Sequence, residues 1–172
     1  IYEPFSLFFK DYIESLYREG KISDLWTETE KNLRDLVTQV LRDAFGDPWE
    51  EGYRKEFPNH TTGKNKAHII DVLIKKRDAD IKKWGKRASQ NVIEQTYPQE
   101  ISDIIKRKWS EFEEVFSSNN IDKREFDRIM KFIGKVRTPI SHSKEFVLSK
   151  PNKNIFRGYC SKINECIHNY SG

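Results

Sequence analysis

The chain has only two cysteines in 172 residues, Cys160 and Cys166. That is too few for a disulfide framework and too few for a cysteine zinc knuckle. Long apolar stretches are missing too: no uninterrupted run is longer than four residues. A bilayer span needs about 20, so a membrane-spanning helix is excluded. The eight glycines are scattered and never form G-x-G-x-x-G or a Walker-type pattern, which excludes a glycine-rich phosphate loop. No basic-then-apolar segment opens the chain, so nothing points to secretion, and a reducing, cytoplasmic setting is expected. The first residue is Ile rather than Met, which reads as a piece trimmed from something longer. Internal repeats, low-complexity tracts and linkers are absent. The expected organisation is one domain over residues 1–172, with 1–20 as an appended N-terminal helix.

What is present is aromatic and charged. Aromatic residues make up 13% of the chain (11 Phe, 7 Tyr, 4 Trp), ample for a core and contrary to disorder. The net charge of +4 is unevenly spread: residues 1–60 hold 8 Lys/Arg against 13 Asp/Glu, and residues 61–172 hold 23 against 14. A polyanion would therefore be held by the second part.

Apolar residues recur at helical spacing almost everywhere, and strand-like alternation is scarce. A first helix is predicted over residues 4–19 and ended by Gly20. Ser23 would cap a second, carrying Leu25, Trp26, Leu33, Leu36, Val37, Val40 and Leu41 until Gly46 and Pro48 stop it. Residues 46–64 read as the longest irregular stretch. A charged helix is predicted over 67–95, interrupted by Gly85. Thr96 to Gln99 read as a capping box with an early Pro98, opening a helix that holds Ile101, Ile104, Ile105, Trp109, Phe112, Val115 and Phe116. A second capping box, Asp122-x-x-Glu125, opens a helix with Phe126, Ile129, Met130, Ile133 and Val136 inward. The last helix is placed over 154–170, with Phe156, Tyr159, Cys160, Ile163 and Ile167. The fold class is an all-α bundle of five to six helices.

Most chemistry-bearing residue types have an ordinary explanation. Cys160, Cys166 and His168 invite a metal reading, but residues i and i+6 lie on different helix faces, so the cysteines read as buried structural thiols and no metal or cofactor is expected. His60 and His68 have no partner at ligand spacing and read as surface histidines. Asn59-His60-Thr61 and Asn169-Tyr170-Ser171 match the glycosylation sequon, a frequent chance match without meaning in a cytosolic chain.

Two segments stand out. Residues 75–87 place seven cations (Lys75, Lys76, Arg77, Lys82, Lys83, Lys86, Arg87) and two acids around Trp84. Such charges can track a nucleic-acid backbone while a ring stacks on a base; the alternative is a solvated helix face with a core Trp. The sharper signal is Arg137-Thr-Pro-Ile-Ser-His142. An unbroken helix would point residues 137 and 142 about 140° apart. A break at Thr138-Pro139 would re-aim the second segment and let Arg137 and His142 share one cleft. Arg offers a fixed fork of donors to phosphate oxygens, and His moves a proton near neutral pH. Together they are a minimal set for metal-free phosphoryl transfer on RNA. The alternative is a surface Arg and a His at a helix start.

The segment 136–142 resembles the R-x4-H signature of the HEPN superfamily, small α-helical domains named for higher eukaryotes and prokaryotes nucleotide binding. The amphipathic helix leading into Arg137 fits the same placement. Trp109-Ser-Glu-Phe112-Glu-Glu-Val-Phe116 and Leu25-Trp26-Thr-Glu-Thr-Glu30-Lys-Asn-Leu33-Arg34 are similar to helices of the subgroup fused to nuclease and defence proteins. The resemblance covers most of residues 22–170 as a helix pattern, with only the short motif specific. It implies a metal-independent endoribonuclease acting as a homodimer, in which two motifs meet to build one site. Carried over by position, Arg137 would stabilise the phosphorane charge and His142 would assist proton transfer, with Thr138, Ser141 and Glu30 as supporting groups; Glu28 is the other candidate to orient Arg137. The residue after the Arg is usually Asn, Asp or His in active members, and here it is Thr138. That departure keeps open a non-catalytic RNA-binding or dimerisation module of a larger defence protein; a plain helical interaction domain is a third reading. The resemblance further implies a toxin or antiviral-defence setting, restrained by a regulatory domain or antitoxin.

Overall fold

The computed structural model describes the backbone of residues 3–62, 66–141 and 148–171, and the side chains of residues 22–62, 66–138 and 148–170. Helix α1 (Glu3–Phe45) runs through the position where the sequence predicts its end. A mid-helix Gly costs only about 1 kcal/mol relative to Ala, and the apolar face resumes at once with Ile22 and Trp26, both buried. Ser23 does not act as a cap. Its carbonyl accepts the Thr27 hydroxyl at 3.0 Å, a bond between turns of a continuing helix. Leu33, Leu36, Val37, Val40 and Leu41 then complete the buried stripe.

The stretch expected to be irregular holds a short helix, α2 (Trp49–Glu56). Its inward face is only the i, i+4 pair Trp49 and Tyr53, whose rings meet edge to face at 6.2 Å. A two-residue hairpin follows, β1 (Thr61–Thr62) antiparallel to β2 (Ala67–His68), with Thr61 opposite His68. Helix α3 (Ile69–Trp84) ends well short of residue 95. Gly85 takes φ +58° and ψ −133°, and a connector of two 3₁₀ turns (Gly85–Arg87 and Val92–Gln95) leads on.

Helix α4 (Pro98–Arg107) starts on Tyr97 rather than Thr96: Glu100 accepts the Tyr97 amide at 2.7 Å, while the Thr96 hydroxyl is spent on the Ile93 carbonyl at 2.6 Å. The helix predicted to continue to Phe116 divides at Lys108, giving α5 (Trp109–Ser117). Lys108 reaches Glu56 at 2.9 Å and lies over the Phe45 ring at 5.0 Å, so distant contacts hold the break. Helix α6 (Lys123–Ser141) opens where expected, with Asp122 accepting the Glu125 amide at 2.7 Å. Glu125 does not reach back; it pairs with Arg128 at 2.6 Å. Phe126, Ile129, Met130, Ile133 and Val136 are all buried, as the spacing predicts. Helix α7 (Lys150–Ser171) begins a turn earlier than predicted. The Ser149 carbonyl accepts the Lys153 amide at 3.0 Å, and a first-turn Pro151 needs no amide partner.

Among the described residues there are seven α-helices, not five or six, and the class is all-α apart from the hairpin. None of these helices is long and apolar enough to cross a membrane. One core joins them, with α1 packed against α2, α4, α6 and α7 and α4 against α6. Each fully buried Leu or Phe in it contributes about 1.5–3 kcal/mol.

A polar cleft as the candidate functional site

Helix α6 carries the residue of interest, and its approach to the cleft is fixed from both sides. Val136 is buried in the core. Two and a half turns earlier, Asp127 accepts from Lys106 of α4 at 2.7 Å and from Lys131 at 2.6 Å. Those bonds, Lys106 first, hold the Asp127 carboxyl below the usual carboxylate range. Arg137, half-buried at the far end, lines a cleft of about 440 Å³. Glu30 and Arg34 of α1, Lys76 and Asp80 of α3, and Glu94 to Tyr97 of the connector complete the walls.

Arg34 organises this cleft. Its Nη2 donates to the Thr96 carbonyl at 2.7 Å and to Glu30 Oε1 at 3.1 Å, and Nη1 lies 3.7 Å from Glu94 Oε2. Lys76 does the same work from the opposite wall, bonding Glu100 at 3.2 Å and the Gln95 carbonyl at 3.4 Å, with its ammonium 4.4 Å from the centre of the Tyr97 ring. Asn91 ties the connector to α1 once more, donating to the Thr38 hydroxyl at 2.9 Å while accepting the Ile93 amide. The cleft thus has three cations (Arg34, Lys76, Arg137) and three carboxylates (Glu30, Asp80, Glu94) on its walls. Its net charge is zero, so long-range attraction of a polyanion must come from outside it.

The expected residues are distributed unevenly around this site. Glu30 and Arg137 do line the same cleft, although the ion pair that Glu30 makes is with Arg34. Glu28 is exposed and outside it. The predicted helix break at Thr138-Pro139 is absent: α6 continues to Ser141, and the Thr138 hydroxyl donates to the Gly134 carbonyl at 3.3 Å within the helix. Such a bond occupies a carbonyl one turn back and lets the helix continue. His142 lies outside the described residues, as does the side chain of Ser141. Of the basic segment, Lys76 and Arg77 serve the fold, Arg77 by pairing with Asp78 at 2.8 Å. Lys75, Lys82, Lys83, Lys86 and Arg87 are exposed and make no ion pair among the described residues. Trp84 is 55% exposed, which removes the alternative of a core Trp.

The histidines are corrected as well. His60 is buried, with Nδ1 2.8 Å from the Tyr53 hydroxyl. Burial, then the Arg107 charge, brings its pKa down to about 4. His68 caps α3: Nδ1 accepts the Ile70 amide at 3.2 Å and Nε2 donates to the Phe57 carbonyl at 3.1 Å. Cys160 and Cys166 are buried as read from the sequence, and burial pushes the Cys160 thiol up to about 12. Among the described residues no three His, Cys, Asp or Glu side chains converge as metal ligands.

Sequence reasoning missed Arg34, Glu94 and Tyr97 as parts of the cleft. The i, i+4 spacing of Glu30 and Arg34 was a visible ion-pair signal; the carbonyl that Arg34 reaches, 62 residues on, was not. The chain matches no family model, no curated protein and no solved structure.

Proposed function

We propose that the chain is a HEPN-type, metal-independent endoribonuclease whose site is built from Arg137 and His142 of two copies. The observation that carries this reading is the position of Arg137, the motif arginine, on the wall of a polar cleft beside Arg34 and Lys76. In the reaction the ribose 2′-oxygen bonds to the adjacent phosphorus and the bond to the 5′-oxygen breaks. The 2′-hydroxyl proton leaves and the 5′-oxygen gains one, giving a 2′,3′-cyclic phosphate and a 5′-hydroxyl. Arg137 offsets the charge that grows on the non-bridging oxygens, and His142 carries a proton. Helix α6 runs unbroken through Pro139 to Ser141; assembly of the pair across a homodimer is what the resemblance implies. The setting is a cytoplasmic toxin or defence effector under a regulatory domain or antitoxin.

A second reading is a non-catalytic RNA-binding and dimerisation module. The balanced charge of the cleft and the Thr138 hydroxyl, engaged inside its own helix, favour it. The experiment that separates the two uses one RNA and its copy with a single 2′-deoxy nucleotide 5′ to the cut, both in chelator. The enzyme cuts the first, leaves cyclic phosphate ends, and spares the second at that bond. Binding of both without cleavage supports the module. Cleavage that stops in chelator and returns with magnesium overturns the metal-free assignment.

A further inference from the structure

A second cavity, of about 240 Å³, lies between α1 and α7 and shares no residue with the cleft. The two helices run side by side in the same direction. Trp26 meets Phe156 with ring centres 6.2 Å apart, and further along both helices Asn32 Nδ2 donates to Asn164 Oδ1 at 3.2 Å. Past that bond the buried side chains of Leu36 and Ile167 floor the cavity, and Asn32, Asp35, Gln39 and His168 form its walls. Positions 32, 35, 36 and 39 fall within about 100° of arc, one face of α1. The walls are rich in hydrogen-bond acceptors. Asp35 makes no ion pair among the described residues, not even with Lys31 one turn before it; Arg34 and Arg42 are engaged with Glu30 and Asp47. His168 Nδ1 lies 2.8 Å from the Asn164 carbonyl, which can only accept, so Nδ1 carries the hydrogen and the neutral ring keeps a lone pair on Nε2. Asn32 spends an amide N–H on Asn164, which leaves its Oδ1 available. No Lys or Arg lines the cavity.

We infer that this cavity takes a guanidinium group on a short alkyl stem, supplied by an arginine side chain of a partner or by a free alkylguanidine. A guanidinium forks onto one carboxylate with two parallel N–H bonds, here on Asp35, and keeps donors for His168 Nε2 and the amide oxygens. Its weakly hydrated faces and its stem suit the floor of Leu36 and Ile167. An alkylammonium brings a compact, strongly hydrated head without the fork. A phosphate or carboxylate would meet the Asp35 charge with its own and find no cation to offset it. The volume is below the roughly 300–1,000 Å³ of drug-sized ligand sites, so the cavity suits a group the size of one side chain and not a nucleotide. It also lies against the acidic part of the chain, where residues 1–60 hold 8 Lys/Arg against 13 Asp/Glu. The inference goes beyond the RNA reading and stands without it.

The test is NMR titration of the isotope-labelled full chain with propylguanidine, with propylamine and with an end-blocked Gly-Arg-Gly peptide. The resonances to follow are the His168 ring and the side-chain amides of Asn32 and Gln39. Propylguanidine should shift them saturably in the millimolar range, and propylamine of the same stem should bind at least about ten-fold more weakly. Asp35→Asn keeps the shape and removes the charge, so it should weaken propylguanidine about ten-fold or more. Gln39→Lys sets an ammonium one turn from Asp35 and should compete for the site, with a melting temperature close to that of the wild type. A peptide that binds as tightly as propylguanidine assigns the site to a partner's arginine; a weaker peptide assigns it to a free alkylguanidine. Absence of saturable shifts, equal affinity for propylamine, or propylguanidine affinity unchanged in Asp35→Asn overturns the inference.

Discussion

Arg34 Nη2 donates to the carbonyl of Thr96 at 2.7 Å, joining α1 to the connector residue that precedes Tyr97. Thr96 is buried, so its carbonyl loses a close donor with little access to water once the guanidinium is gone. Arg34→Met keeps much of the stem packing and removes the donor. It should cost about 1–3 kcal/mol, and lower the melting temperature by roughly 5 °C in a chain of this size. Arg34→Lys, with one ammonium and no fork, should fall between. Unaltered melting in Arg34→Met would show that the connector does not depend on this bond.

Two glycines should respond to alanine with opposite sign. Gly20 sits inside α1, where Ala removes chain entropy from the unfolded state, so Gly20→Ala should stabilise by about 0.5–1 kcal/mol. Gly85 has φ +58°, a region that L side chains avoid, so Gly85→Ala should destabilise by about 1–3 kcal/mol. Urea unfolding measures both. A destabilising Gly20→Ala would restore the helix end that the sequence suggests.

Stability should fall with acid in a window set by His60. In the folded chain its pKa is about 4, below an ordinary value of 6.5. Between those two values the unfolded state binds the extra proton, so stability present above 6.5 is lost as pH falls toward 4. The slope is at most about 1.4 kcal/mol per pH unit. Arg107 and His68 push in the same direction as burial, and Asp103 opposes them. Glu125 and Asp127, held low by their ion pairs, add their loss only nearer the carboxylate range. Urea unfolding from pH 7 to 5 should show a flatter dependence for His60→Gln than for wild type. Parallel curves would mean that His60 is charged in the fold.

The exposed lysines around Trp84 should set the salt dependence of RNA binding. Each phosphate contact contributes about 0.7 to the slope of log K against log salt for a single strand. Replacing Lys82, Lys83 and Lys86 together with Gln should flatten that slope by up to roughly 2 and weaken all sequences alike. An unchanged slope would move the RNA path away from these three lysines.

What the sequence made legible was periodic and local. The buried face of α6 and its Asp122 cap followed from spacing and one side chain. What it hid was non-local. The division at Lys108 has no Gly or Pro to announce it and depends on Glu56 and Phe45. Helix α2 offers only Trp49 and Tyr53 as a pattern, too short to read as periodic. His60 looks like a surface residue until Tyr53 folds over it. Gly20 and Pro139 misled in the same way: each is a breaker by propensity, and the helix runs on past each of them. At Gly20, tertiary burial of the stripe that follows, from Ile22 on, outweighs about 1 kcal/mol. For the cleft, Glu30 and Arg137 were named from sequence, whereas Arg34 and Tyr97 needed the fold that brings α1, α3 and α6 around the connector.

The most direct measurement is the rate at which wild type, Arg137→Ala and His142→Ala cut a labelled single-stranded RNA in the presence of chelator. Loss of a placed proton-transfer group lowers such rates by about 10²–10⁴-fold. Both variants should show a loss of that order, with melting temperatures close to that of the wild type. Equal cleavage by all three proteins would contradict the account and assign the activity to another nuclease.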